Sequence, residues 1–272
     1  MEEWLKVFIL GVVEGVTEYL PISSTGHLIV TSTMLELRES LKGTFEIFIQ
    51  IGAVAAVLFY YRAELLSQAR NARQNTNVQH LWLAIALAFV PAAAIGFLFN
   101  DWIDEVLFNP VNVALALIVG GVMFIGIELY QRRRSHSEES PTELEEAVQH
   151  ITFKQAILIG CWQILALFPG MSRSGMSILG GMIAGLPRTV ATQFSFYLAI
   201  PTLGIATLYT LLKKLSSIGA EDMFYLLLGA GVSAVVSWLA IAWLLRFIAT
   251  HTFIPFGVYR ILIGALILAM FL

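Results

Sequence analysis

Two short stretches place acids, hydroxyls, an imidazole and a guanidinium inside otherwise apolar sequence. The first, Gly11 to His27, reads GVVEGVTEYLPISSTGH, and the second, Gly160 to Met176, reads GCWQILALFPGMSRSGM. In the first, Glu14 and Glu18 stand at i and i+4, which puts both carboxylates on one helix face. Like charges so placed repel unless a cation or a shared proton sits between them. The pair therefore reads as a divalent-metal site, oxygen ligands suiting Mg²⁺ or Ca²⁺, or as an acid/base pair; wet acids on a surface helix are the plainer alternative. Ser23 and Ser24 offer a nucleophile or, with Thr25, hydroxyls for a phosphate oxygen, although serines at such a turn cap helices just as readily. The imidazole of His27 can carry a proton or attack phosphorus.

The second stretch supplies the opposite charge. Arg173 lies in PGMSRSG, flanked by Ser172 and Ser174. A guanidinium at this depth either pairs with a fixed carboxylate, Glu14 or Glu18, or exists to meet an anion. Its planar fork matches phosphate oxygens. Ser172, Ser174 and Ser177 add hydroxyls, Gly170 and Gly175 let backbone N–H groups approach, and a helix starting here contributes its positive end. Gln163 occupies the place of Glu14 and reads as a phosphate-binding polar group or as a structural hydrogen-bonding residue. No GxxxxGK[ST] loop is present, so nothing suggests a nucleotide-driven engine. Carboxylates for a cation, a base or nucleophile, and an arginine together describe a small phosphoryl-transfer site.

The elements that must hold these groups are membrane helices. Of 272 residues, 58% are hydrophobic and only 13% charged, with a net charge of -3, and the mean hydropathy is +0.78. That balance excludes a disordered chain and argues against a nucleic-acid binder, and the single cysteine excludes a disulfide-stapled domain. No Asp, Glu, Lys or Arg occurs over Gln74–Asn100, Val106–Ile127, Thr189–Leu212 or Met223–Leu245. Each interval suffices for the roughly 20 residues of a spanning helix. Ile47–Tyr61 and Phe253–Leu272 make a fifth and a sixth, with Arg260 in snorkelling reach of the last one's first end. The acidic start MEEWLKVFIL does not resemble a cleaved signal peptide. Arg62–Asn77 reads as a polar loop, and Arg132–Gln149 as a solvated linker in which Pro141–Glu143 opens a short helix.

On either side of that linker the chain repeats itself. Gly11, Glu14 and Gly26 align with Gly160, Gln163 and Gly175 at a constant offset of 149. The spacing predicts a first repeat over residues 1–131, a cytoplasmic linker over 132–150 and a second repeat over 151–272. Three spans per repeat force the second to sit inverted. Each polar motif is broken at a proline after about half a membrane of apolar helix, which predicts two re-entrant hairpins whose tips meet near the midplane. With both termini outside, ten Lys and Arg fall inside (Arg62, Arg70, Arg73, Arg132, Arg133, Arg134, Lys154, Arg188, Arg246, Arg260) and five outside (Lys6, Arg38, Lys42, Lys213, Lys214). The positive-inside rule favours that orientation. Gly229-Ala230-Gly231 suits close packing, within the chain or in a homodimer.

EGVTEYLPISSTGHL (Glu14 to Leu28) and PGMSRSGMS (Pro169 to Ser177) resemble the two motifs of the bacterial undecaprenyl-pyrophosphate phosphatases, also called bacitracin-resistance proteins, and the resemblance extends over essentially the whole chain. It implies an all-α polytopic fold of inverted repeats, with six transmembrane helices and two re-entrant hairpins, in the bacterial inner membrane. It also implies hydrolysis of undecaprenyl pyrophosphate to the monophosphate and phosphate, which recycles the lipid carrier for the cell wall. The family's paired acids would be Glu14 and Glu18, its motif serine Ser24, its histidine His27 and its arginine Arg173 between Ser172 and Ser174. A divalent cation and an outward-facing site are implied as well. Ser177 departs from the family's usual Thr and keeps the hydroxyl. The expected reaction has Ser24 attacking with His27 taking its proton; His27 activating water, or attacking itself, is the variant. A transporter or flippase for an anionic lipid is the alternative, since inverted repeats with broken helices are also transporter features.

Overall fold

In a computed structural model, residues 1–38, 41, 44–131, 147–214 and 219–271 are described. Arg132–Glu146, Lys42, and the side chains of Lys213 and Lys214 lie outside that set, and so does the expected helix opening at Pro141–Glu143. The regular structure described is helical. In chain order it comprises α1 (Glu3–Thr17), α2 (Ser24–Leu35), α3 (Phe45–Tyr60), α4 (Arg62–Asn71), α5 (Thr76–Val106), α6 (Pro110–Gln131), α7 (Phe153–Gln163), a 3₁₀ turn (Ile164–Leu167), α8 (Arg173–Ile183), α9 (Arg188–Lys214), α10 (Ala220–Thr250) and α11 (Ile254–Phe271).

Among the described residues five helices are long and apolar enough to cross a bilayer, within α5, α6, α9, α10 and α11, and their large apolar side chains face outward, with Phe97 77% and Leu98 71% exposed. A surface of that kind is stable against lipid and not against water. The chain is therefore a polytopic all-α membrane protein. α3 alone is 16 residues, about 24 Å at 1.5 Å per residue and short of a 30 Å hydrocarbon core. It runs through Tyr61 into α4 at a 70° bend. The expected polar loop at Arg62–Asn77 is thus largely a helix, a correction with a local cause. Ala63, Glu64, Leu65, Leu66 and Gln68 are sound helix formers. The buried Gln68 ties α4 down by donating to the Tyr197 hydroxyl at 3.3 Å and accepting from Trp82 Nε1 at 3.0 Å.

α1 with α2, and α7 with α8, form two hairpins of helices too short to span. The open end of the first is stapled: Arg38 N–H donates to Glu3 Oε1 at 2.9 Å and Lys6 Nζ to Glu36 O at 2.7 Å. The second closes in the same way, with Gln155 Nε2 donating to Ala184 O at 3.1 Å. A capping box at Thr152 and Gln155 starts α7. α1 packs on α10 and α7 on α5; α3 packs on both α9 and α10, and α6 on α11. In the glycine-rich run Gly229 abuts the Phe45 ring and the Ala230 carbonyl abuts Gly52, whereas a Cβ on Gly231 would meet nothing within 4 Å.

Arg260 is the second correction. It does not snorkel: it is fully buried, pointing across α6 between the two hairpins. The carbonyls freed where the helices break and buried within the protein need donors, and a guanidinium offers five N–H groups. Glu128 is equally buried at the far end of α6. It accepts Arg188 Nε and Nη2 at 2.8 Å each, and Phe253 N–H at 2.8 Å. It thereby fastens the end of α6 to the starts of α9 and α11.

Candidate active site

Both helix breaks use the same backbone device. Ser23 (φ 73°, ψ 100°) and Ser172 (φ 74°, ψ 117°) cap α2 and α8 from the left-handed half of conformational space. The side chain of each accepts from the glycine N–H three residues on, Gly26 at 3.4 Å and Gly175 at 3.1 Å. A non-glycine residue at positive φ costs of order 1–3 kcal/mol and marks positions where the chain is held for a purpose. In the second break Gly170 also adopts φ +101°, with Val113 O against its Cα, where no side chain would fit. The repeat at an offset of 149 is therefore a repeat of conformation as well as of composition.

The breaks deliver two different half-sites to one place. Glu18, just past the end of α1 and 6% exposed, accepts Arg173 Nη2 at Oε1 (2.9 Å) and the Ser24 hydroxyl at Oε2 (2.6 Å). Arg173 Nη1 donates to Ser195 O at 3.1 Å, and its Cζ stands 5.6 Å from the centre of the Tyr19 ring. Ser174 donates to Leu20 O at 3.3 Å and shares a 3.1 Å hydrogen bond with Ser172. Ser177 meets the Ser195 hydroxyl at 2.7 Å. Glu18, Ser24, Arg173, Ser172, Ser174 and Ser177 are thus gathered, and of the two fates expected for Arg173 the ion pair with Glu18 is the one present without a ligand.

Other expected residues stand apart from that chain of bonds. The His27 Nδ1 lies 2.8 Å from Ser23 O and Nε2 2.8 Å from the Tyr259 hydroxyl. A carbonyl only accepts, so Nδ1 carries the proton, and Nε2 accepts from Tyr259 in the neutral ring. The base that Ser24 touches is Glu18, not His27. Ser23 is spent as a cap and Thr25 is half-buried. Gln163 is 1% exposed, and among the described residues neither amide atom has a hydrogen-bond partner. Glu14 is fully buried, and among the described residues neither carboxylate oxygen has a partner. A carboxylate so placed calls for a proton or a cation. Among the described residues no three His, Cys, Asp or Glu side chains gather. Magnesium, however, is commonly held by one or two carboxylates with the rest of its shell from substrate phosphate and water. The orphaned Glu14 beside Glu18 fits that donor set.

Tyr259, Ser195, Tyr19 and Arg260 are not among the residues that sequence reasoning singles out for the site. Arg260 had a usable signal, since a charge within a span faces the protein interior by default. Ser195, a hydroxyl amid the apolar residues of α9, had a weaker one.

The family model described as "Bacitracin resistance protein BacA" matches residues 7–266. The chain is 46% identical to undecaprenyl-diphosphatase 1 of Chromobacterium violaceum over 96% of this chain and 93% of that one. It is 45% identical to an undecaprenyl-diphosphatase of Deinococcus radiodurans, over 98% and 95%. It is 42% identical to undecaprenyl-diphosphatase 1 of Oenococcus oeni, over 98% and 96%.

Proposed function

The chain belongs to the BacA family of bacitracin resistance proteins, and from that membership we infer how its two half-sites serve one reaction. It is an inner-membrane hydrolase that converts undecaprenyl diphosphate to undecaprenyl phosphate and inorganic phosphate, returning the lipid carrier to cell-wall synthesis.

In our reading the terminal phosphoryl group sits between the tips. Arg173, whose buried Nε–H has no partner among the described residues, turns its free donors to the equatorial oxygens, and the hydroxyls of Ser172, Ser174 and Ser177 line the same tip. Ser23 and Thr25 stand as further phosphate-binding candidates, whereas Gln163, the buried counterpart of Glu14, is read as standing outside the phosphate site. Ser24 Oγ attacks phosphorus while its proton passes to Glu18 Oε2. The bridging P–O bond breaks, undecaprenyl phosphate departs, and water then cleaves the phosphoserine. His27, one helical turn along from Ser24, takes the proton of that water on Nε2 once Tyr259 yields it. Glu14 and Glu18 would hold Mg²⁺ or Ca²⁺, which when bound offsets pyrophosphate charge. The observation that carries this reading is the Ser24–Glu18–Arg173 chain of bonds, in which nucleophile, base and anion binder come from both halves of the sequence.

We further read the fold as two inverted repeats over 1–131 and 151–272, each a re-entrant hairpin and three spans, with α3 and the bent α4 completing the sixth crossing. The crosswise packing of α1 on α10 and α7 on α5 supports it. Burial of Arg260 removes it from the charge tally, leaving nine basic residues inside against five outside. That balance still favours external termini, and the family resemblance supports a site open to the outer face.

The test is phosphate release from a C55 or C15 isoprenyl diphosphate by detergent-purified protein. Release that stops in EDTA and returns with Mg²⁺ or Ca²⁺ is expected. Release indifferent to chelation would remove the cation, and no release by folded protein would remove the reaction.

A further inference from the structure

Arg260 takes no part in the steps above, yet it is the largest of the fully buried side chains. It donates from Nη1 to Pro21 O at 3.1 Å and from Nη2 to Gly170 O at 3.0 Å, with longer contacts of 3.4 Å to Ala116 O and Leu117 O on α6. Among the described residues no carboxylate lies in ion-pair range of it. A cation buried without a counter-ion is costly, and an apolar side chain of similar volume would fill the space without that cost. What only the guanidinium supplies is a rigid, planar spread of donors.

The two short bonds are placed symmetrically. Pro21 and Gly170 are equivalent positions at the offset of 149. Each lies three residues before a side chain of the reacting pair, Ser24 in one half and Arg173 in the other. The route for the side chain is built into α6. α6 and α11 meet closely at Gly121 and Gly257, where a Cβ on Gly257 would stand 2.8 Å from Gly121 O, and a Cβ on Gly120 would stand 2.7 Å from Arg260 Cζ. The guanidinium thus occupies a slot that exists because residue 120 has no side chain.

We propose that Arg260 is a positioning residue that sets the spacing of the two half-sites through the carbonyls of Pro21 and Gly170, with Gly120 as its slot. The proposal deepens the phosphatase reading and rests on it for its kinetic consequence. Without the shared donor each break relaxes separately, and Arg173 no longer closes on the phosphoryl group that Ser24 attacks.

Arg260→Lys keeps the charge and loses the fork. Its kcat is expected to fall about 100-fold, the scale of a misplacement near 1 Å, with KM and the thermal midpoint little changed. Gly120→Ala alone is expected to lower kcat about 10-fold, and added to Arg260→Lys it should change nothing further, because the two share one slot. Hydrogen exchange reads the same effect without catalysis: in Arg260→Lys, amides of residues 22–24 and 171–173 should both exchange at least about 10-fold faster, while α5 and α7 keep their protection. A folded Arg260→Lys protein with wild-type kcat, or with protection unchanged at both breaks, overturns the proposal. If Arg260→Lys does not fold, Gly120→Ala decides alone, and full activity with unchanged exchange overturns it. A wild type that releases no phosphate counts against the phosphatase reading, and the exchange measurement still judges Arg260.

Discussion

The two helix breaks share a backbone and divide the chemistry. At both, a serine at positive φ caps the following helix and a glycine three residues on supplies the first N–H. The side chains differ position by position. Glu14, Glu18, Ser24 and His27 of the first correspond to Gln163, Leu167, Arg173 and Met176 of the second. The first break carries two acids, a serine and an imidazole; the second carries a guanidinium and serine hydroxyls. A shared backbone frame gives each break a rigid way to present its polar groups. On the proposed reading one break binds what the other attacks, and neither is a site alone.

That division is open to attack by substitution. The largest effect is expected at Ser24→Ala, which leaves Arg173 and its hydroxyls in place but removes the attacking oxygen. kcat should drop by about 10³-fold or more with KM little moved, the pattern of a group used only in the transition state. Substantial turnover in a steady-state phosphate assay would hand the attack to water or His27. Next comes Glu14→Gln, which makes the first half resemble Gln163 of the second. Activity should fall about 10²-fold, and the Mg²⁺ concentration for half-maximal rate should rise; an unchanged metal titration would take Glu14 out of the cation site.

Much of this frame is legible in the chain, and the rest is hidden for physical reasons. Charge-free intervals locate the spans because lipid excludes ionised groups, and Pro21 and Pro169 mark the breaks because proline cannot continue a helix ladder. The grouping of Glu18, Ser24 and Arg173 is what an inverted repeat would predict, but their bonding is not: Ser24 turns to Glu18, whereas adjacency in the motif suggests His27. Arg260 is ambiguous in sequence because a charge near a span's end has two low-energy solutions, outward to water or inward to freed carbonyls, and only the packing of α6 decides between them. α4 reads as a loop because its polarity masks helix-forming residues held down by Gln68, Tyr197 and Trp82. The tie between Glu128, Arg188 and Phe253 N–H joins three distant segments and has no local signal.

Smaller effects sharpen the contrast further. His27→Ala should cost about 10–100-fold, the range for one proton-transfer group. A phosphorylated Ser24 intermediate should accumulate and be detectable by acid quench with labelled diphosphate; loss of rate without accumulation would move His27 to the first step. Gln163→Leu should change kcat less than about threefold. It should leave the thermal midpoint level or higher, since a buried amide without partners contributes little to lose. A tenfold loss would bring Gln163 into the phosphate site.

The central claim, that both tips form one catalytic centre, is tested most directly by a double-mutant cycle on phosphate release with Glu18→Gln, Arg173→Lys and the pair together. Each single substitution should cost about 10²–10³-fold, and the double should cost little more than the worse single, because residues acting as a unit are strongly non-additive. Losses that multiply, as for distant and independent sites, would contradict the shared centre and leave the Glu18–Arg173 bond a structural tie between two hairpins.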